Sequence, residues 1–310
     1  MTSVRQMGKE ISEWTDLFIY GTLLPGCRLN NQIFGCLYHG PVILKEAKLY
    51  DLGHFPGIVH DDGFVIGDWI SVPPLMLKEL DQIEDYDVER ELIDCLYIRK
   101  TVKIQRLADG NFFDVNTYLY NKNNEQLLLN RENLETRFAD YRDGDVIRIE
   151  RPIDHGCYRR YLNEQNAEGS WLTVFGSNLN LHRLESRVGK VGEGRVGWIP
   201  NFRLMFNKQS YPGSKKSFAN IQYHPHARTP AVAWWLDQSQ LDRMDEIEGF
   251  PNHYLRIVVP FVAHQTHQVI EYCQTYIAHP NALGPGTPSN SYRKHLEAGY
   301  LEFGFGEAPS

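Results

Sequence analysis

The chain has 310 residues, 42% hydrophobic and 23% charged, with a formal net charge of -7. That is globular composition at a length that suits two domains. With no basic stripe it argues against nucleic acid as a partner, and no apolar run approaches the roughly 18 residues of a membrane span.

Residues 1–16 are polar, mixed in charge and free of a signal-peptide core, so they read as an N-terminal extension of a cytoplasmic protein. Leu17 to Tyr20 then form a short buried strand that Gly21 and the pair Pro25-Gly26 break. The backbone N–H groups at such a strand end can hold an anion; the plainer reading is a tight turn. Lys48 to Asp51, Gly53 to His60 and Phe64 to Val72 read as short strands separated by Gly, Pro and Asp-Gly turns. Ser71 is placed to cap a helix with Pro73 and Pro74 in its first turn, running through Leu75, Leu77 and Leu80 to Asp81-Gln82-Ile83-Glu84-Asp85-Tyr86. Counting back from Glu84, Ile83, Leu80 and Leu77 stand at minus one, minus four and minus seven. The last two share a helical face with the carboxylate, which therefore continues an apolar stripe.

Downstream, Gln126 to Phe138 has helical spacing, Gly144 to Ile149 reads as a strand, and Arg151 to Gly169 is a polar junction. The earlier features then return. Val174-Phe175-Gly176-Ser177-Asn178-Leu179 echoes Ile19-Tyr20-Gly21-Thr22-Leu23. Leu236 to Phe250 reads as a helix ending at Glu248, with Ile247, Met244 and Leu241 in the places of Ile83, Leu80 and Leu77. Asp242, Asp245 and Glu246 take its outer positions as surface acids. Tyr254-Leu255-Arg256 repeats Tyr97-Ile98-Arg99, and Tyr276 repeats Tyr118. Four landmarks in one order mean a duplicated domain, not a solenoid of short repeats. The halves are set at 17–150 and 171–310, with 151–170 as linker, and Tyr292 to Tyr300 reads as a closing helix.

Each half thus offers a glycine turn, tyrosines, and a glutamate on an apolar face. Burial raises a carboxyl pKa, and the negative end of a helix dipole acts the same way. Such a group passes protons near neutral pH, while the turn amides hold a carboxylate or an oxyanion. The competing reading is a structural glutamate bonded to a tyrosine or an amide.

Tyr20-Gly21-Thr22-Leu23, Leu80-Asp81-Gln82-Ile83-Glu84 and Tyr97-Ile98-Arg99 resemble the γ-glutamylcyclotransferase-like superfamily, nearest its γ-glutamylamine cyclotransferase-like branch. The second half resembles γ-glutamylcyclotransferase proper, through Phe175-Gly176-Ser177-Asn178-Leu179, Phe218-Ala219-Asn220-Ile221, Asp245-Glu246-Ile247-Glu248-Gly249 and Pro288-Ser289-Asn290-Ser291-Tyr292. The resemblance implies an α+β fold: two tandem domains, each a small mixed β-barrel with flanking helices. It implies a reaction without metal or cofactor, in which the α-amine of a small γ-glutamyl substrate attacks its own γ-carbonyl to give 5-oxoproline. Glu84 and Glu248 would shuttle the proton. Tyr20, Gly21, Thr22, Leu23, Tyr97 and Tyr118 would bind substrate in the first half, and Phe175, Gly176, Ser177, Asn178, Leu179, Tyr254 and Tyr276 in the second. Phe175 departs from the family's usual tyrosine. The alternative is that one or both domains bind a small molecule or a partner without turnover.

Other features carry less. Ser177 lacks the Gly-x-Ser-x-Gly elbow of a nucleophile. His224-Pro225-His226 and His264-Gln265-Thr266-His267 lack a companion carboxylate or cysteine set for a metal. Gly189 to Gly197 lacks a Gly-Lys-Ser/Thr ending and reads as a flexible connection. Of Trp234-Trp235, one indole is expected in the core and the other against the cavity. The five cysteines, odd in number, read as reduced thiols.

Overall fold

A computed structural model describes residues 13–52, 55–121, 151–153, 155–165, 168–264 and 270–309. The helix expected over Gln126–Phe138 and the strand over Gly144–Ile149 lie outside them, as does His267. The main division of the chain into compact units falls between Tyr158 and Arg159.

In the first unit β1 (Thr15–Ile19), β2 (Leu37–Asp51), β3 (Pro56–Val72), β4 (Tyr97–Arg106) and β5 (Phe112–Tyr120) lie in the order β3-β1-β5-β4-β2. Pairing of β2 with β3 closes the ring, and β6 (Arg151–Pro152) adds to β2. In the second unit β7 (Gly169–Val174), β8 (Gly194–Gln209), β9 (Ser217–Asp237), β10 (Tyr254–Ala263) and β11 (Ile270–Ala278) close as β10-β11-β7-β9-β8. The two barrels match strand for strand. β1 runs parallel to β5, with Leu17 opposite Asn116, and β7 runs parallel to β11, with Leu172 opposite Gln274. Each is a mixed barrel with helices, the α+β architecture the resemblance implies. Closure pairs each of the five barrel strands with a neighbour on both sides, and much of the apolar side-chain surface turns inward. Leu17, Ile58 and Ile70 are fully buried in one unit, Leu172, Ile221 and Val232 in the other.

Two expected strands merge. Gly53–His60 and Phe64–Val72 were separated by Asp61-Asp62-Gly63, yet β3 runs through all three. The register against β2 shifts between Lys45 and Ala47, where Glu46 has φ 54°. The turn residues are absorbed as a bulge that bends the strand.

Helix α1 (Pro74–Ile83) begins after Pro73, with no side-chain cap. Ser71 is not its cap: it stays on β3, and its hydroxyl donates to Asp16. Helices α2 (Tyr158–Glu164), α3 (Leu181–Val188), α4 (Gln238–Glu248) and α5 (Asn290–Glu302) belong to the later part of the chain. Within the glycine-rich run, Gly189 caps α3 and Gly194 opens β8, so its second part is strand rather than connection.

Helix α4 begins two residues later than expected, because Leu236 and Asp237 still pair as β9. Asp237 then forms a reciprocal capping box with Gln240. Gly249 ends the helix in the left-handed conformation at φ 66°. A Cβ there would stand 2.8 Å from the His253 ring. Leu241 and Met244 pack with Leu179, Leu184, Trp234, Leu296 and Tyr300 in the core. Glu248 is thereby fixed as the last helical residue, and Glu84 is the C-cap of α1.

Candidate functional site

Each barrel has a cavity where its first strand stops at glycine. In the first unit the wall includes Tyr20, Gly21, Thr22, Leu23, Glu84, Tyr97 and Tyr118, every residue expected of that site. The space is about 30 Å³. It is narrow because Pro56 packs on the turn: a Cβ on Gly21 would lie 2.6 Å from the proline Cγ. The tyrosine hydroxyls are committed to the frame. Tyr20 donates to the Tyr118 carbonyl at 2.7 Å and Tyr97 to the Pro56 carbonyl at 2.6 Å. Tyr118 donates to Asp81 Oδ1 at 2.8 Å, and Arg99 binds both Asp81 oxygens at 2.7 and 2.8 Å. Among the described residues no side chain donates a hydrogen bond to the Glu84 carboxyl. Burial pushes its pKa up to about 7, because the carboxylate loses hydration and gains no compensating partner.

The second cavity is larger, about 390 Å³, and its wall includes Phe175, Gly176, Ser177, Asn178, Glu248, Tyr254 and Tyr276. Leu179 is the exception among the expected residues. It is fully buried beneath the turn, in the apolar core, and its amide donates to the Gly176 carbonyl at 3.0 Å. Glu248 is held by one oxygen. Asn178 Nδ2 and Arg187 Nη1 each donate to Oε1 at 3.1 Å, and Arg187 also donates to Asn178 Oδ1 at 2.9 Å. Oε2 has no protein hydrogen bond among the described residues. The Tyr254 hydroxyl donates to the Ala219 carbonyl at 2.8 Å. Phe175 offers no hydroxyl to the Tyr276 carbonyl, so the bond made by Tyr20 has no counterpart. Tyr292, from α5, supplies an oxygen instead: it accepts from the amides of Ser177 at 3.4 Å and Ala219 at 3.0 Å.

The expected surface acid Asp245 is a correction. It lies on the α4 flank that meets the barrel, one turn before Glu248. Tyr276 donates to its Oδ1 at 2.6 Å, while Arg160 and Arg256 stand 3.1 and 3.0 Å from Oδ2. Both guanidiniums are essentially fully buried, and Glu164 of α2 shares them at 2.9 and 3.1 Å. The Arg256 contacts are Coulombic, off hydrogen-bond alignment. Burial pushes Asp245 up to about 6, against the Arg160 charge and the Tyr276 bond. Asp81, Tyr118 and Arg99 form the same triangle in the first unit. The signal was present in the sequence: these acids stand three residues before each glutamate, and their Arg and Tyr partners sit inside the repeated landmarks.

Arg183, Arg187, Lys208 and Tyr292 also line the second cavity without having been anticipated. Neither tryptophan does. Trp234 is buried in the core and Trp235 is 42% exposed, edge-on to Trp171, because successive residues of β9 face opposite sides. Among the described residues no three His, Cys, Asp or Glu side chains gather as a metal-binding group, and no helix is long and apolar enough to cross a membrane.

Two closed barrels, each with a carboxyl group sharing a cavity with a strand-end glycine turn, define a tandem protein with one such cavity in each half. The family model described as gamma-glutamyl cyclotransferase, AIG2-like, matches residues 17–140 and again 172–294; the chain belongs to that family. It is 29% identical over 135 residues to the gamma-L-glutamyl-butirosin B gamma-glutamyl cyclotransferase of Niallia circulans, covering 41% of this chain and 75% of that protein. It is 28% identical over 112 residues to the gamma-glutamylcyclotransferase family protein ytfP of Citrobacter rodentium (strain ICC168), covering 33% of this chain and 98% of that one. The crystal structure of YkqA from Bacillus subtilis shares the fold, with a TM-score of 0.69 at 15% identity over 93% of this chain and 92% of that one.

Proposed function

We propose that both units are cyclotransferase sites that close a γ-glutamyl group to 5-oxoproline and release an amine or amino acid, without a cofactor and in the cytoplasm. The observation that carries this reading is the placement of Glu84 and Glu248, each in a cavity shared with a glycine turn. The carboxylate takes a proton from the substrate's α-ammonium. The freed amine attacks the γ-carbonyl carbon, and its C–N bond forms as the carbonyl oxygen becomes an oxyanion beside the turn. The oxyanion then collapses to the ring carbonyl and the scissile C–N bond breaks as the carboxyl group returns the proton to the departing nitrogen. The ring nitrogen passes its surplus proton to the regenerated carboxylate and on to the released amine, leaving a neutral lactam and an ammonium. No water is consumed. The nucleophile and electrophile share one molecule, so orientation supplies much of the acceleration.

The first cavity favours a second reading for its unit. About 30 Å³ is room for a water molecule or two rather than a glutamyl group. If Pro56 does not move, this unit is a closed domain without turnover. One experiment separates the cases: 5-oxoproline release from a panel of γ-glutamyl amines and peptides by wild type, Glu84→Gln, Glu248→Gln and the double variant. Each active site should lose about 10²- to 10⁴-fold with its glutamate. Full activity in the double variant would refute the assignment. Loss confined to Glu248→Gln would leave the first unit non-catalytic.

A further inference from the structure

Lys208, near the end of β8, lines the second cavity and is only 5% exposed. A buried ammonium ordinarily needs a counter-charge to offset its lost hydration. Among the described residues no carboxylate lies within ion-pair distance of it. Its Nζ instead stands 5.2 and 5.0 Å from the centroids of the Phe218 and Tyr254 rings, and 3.5 Å from His253 Nδ1. Glu248 acts on it only at longer range, and that carboxylate already holds Arg187. Burial pulls the ammonium below the usual lysine range.

Arg183 is a second cation of this cavity with no ion pair among the described residues. It donates to Ser177 Oγ at 3.2 Å, which fixes it beside the glycine turn. A γ-glutamyl group brings one ammonium, for Glu248, and one carboxylate, for the turn and Arg183. That leaves Lys208, on the aromatic wall, without a ligand charge. Among the described residues no lysine, arginine or histidine lines the first cavity.

We propose that Lys208 is the specificity residue of the second site: its ammonium pairs with a carboxylate on the departing amine, so this unit selects γ-glutamyl compounds whose leaving group is itself an acid. This rests on the cyclotransferase reading and adds to it which leaving group is chosen. Nothing in that reading alone requires Lys208.

The test uses the full chain carrying Glu84→Gln, so that only the second site turns over. γ-Glutamylglycine and γ-glutamylmethylamide differ at the leaving group by one carboxylate. The parent should favour the glycine compound by about tenfold or more in kcat/KM, through an ion pair the methylamide cannot form. Lys208→Met should abolish the preference, mainly by raising KM for the glycine compound, and leave the methylamide within about twofold. Lys208→Arg should restore part of it, with thermal melting confirming that both variants fold. Equal loss on both compounds would place Lys208 on the glutamyl carboxylate or in the fold and overturn the proposal; so would a preference that survives Lys208→Met, or none in the parent. If neither compound is turned over, the cyclotransferase reading fails and calorimetric binding decides. Tighter binding of the glycine compound that vanishes in Lys208→Met sustains the role of Lys208, while equal or absent binding refutes it.

Discussion

The two glutamates differ more in surroundings than in position. Glu84 has lost water and gained no partner, whereas Glu248 has gained an amide and a guanidinium. With its folded-state pKa raised from 4.5 to about 7, Glu84 favours the native state below its unfolded value and loses that contribution as pH rises through 7. Glu84→Gln should therefore gain on wild type between about pH 5 and pH 8, by up to about 3 kcal/mol, read as a widening gap in Tm. In Glu248→Gln, any turnover left to the first site should rise with pH through about 7, as the carboxylate form appears. The Asp triangles predict a second contrast. Asp245→Asn leaves two buried guanidiniums short of a counter-charge and should cost about 3–5 kcal/mol in denaturant titration. Asp81→Asn removes the charge facing only one, part-exposed guanidinium, Arg99, and keeps an acceptor for Tyr118, so it should cost about 1 kcal/mol.

At the scale of the element, the end of α4 decides where Glu248 points. Gly249→Ala adds a Cβ at positive φ and against His253, and should cost about 1 kcal/mol. It should also lower turnover of the second site while leaving the first unchanged, measured with Glu84→Gln and Glu248→Gln as single-site references. The helices were legible because their signals are local: an apolar stripe, a glycine, a proline pair; their starts were not, since Ser71 stays on β3 and Leu236 and Asp237 stay on β9. The twin glutamates and glycine turns were legible because duplication displays the same local signal twice. Asp245 was misplaced because a helical wheel divides a helix into core and solvent only. Its partners come from other elements, β10, β11 and α2, and such contacts leave no periodicity within the helix. The β3 bulge was missed for a related reason. Asp-Asp-Gly is turn chemistry in isolation, and only pairing along β2 converts it into a bend. Lys208 and Arg183 gave no warning, since a cation on a strand or short helix reads as surface until the barrel closes around it.

For the whole molecule, two sites of unlike charge predict two responses in one solution. Raising salt from about 0.05 to about 0.5 M should raise KM several-fold in Glu84→Gln, where cations meet an anionic ligand, and scarcely move it in Glu248→Gln. Wild type should show the sum of both behaviours, so its salt and pH profiles should change shape with the substrate offered. Strand order, the parallel pairing of first and last barrel strands and the place of the carboxyl group are common to both halves, whereas cavity volume and wall charge have diverged. Because both cavities are encoded on one polypeptide, they are synthesised in a fixed ratio of one to one. Altered expression cannot enrich one over the other; only the chemical conditions of the cell can set the balance between them.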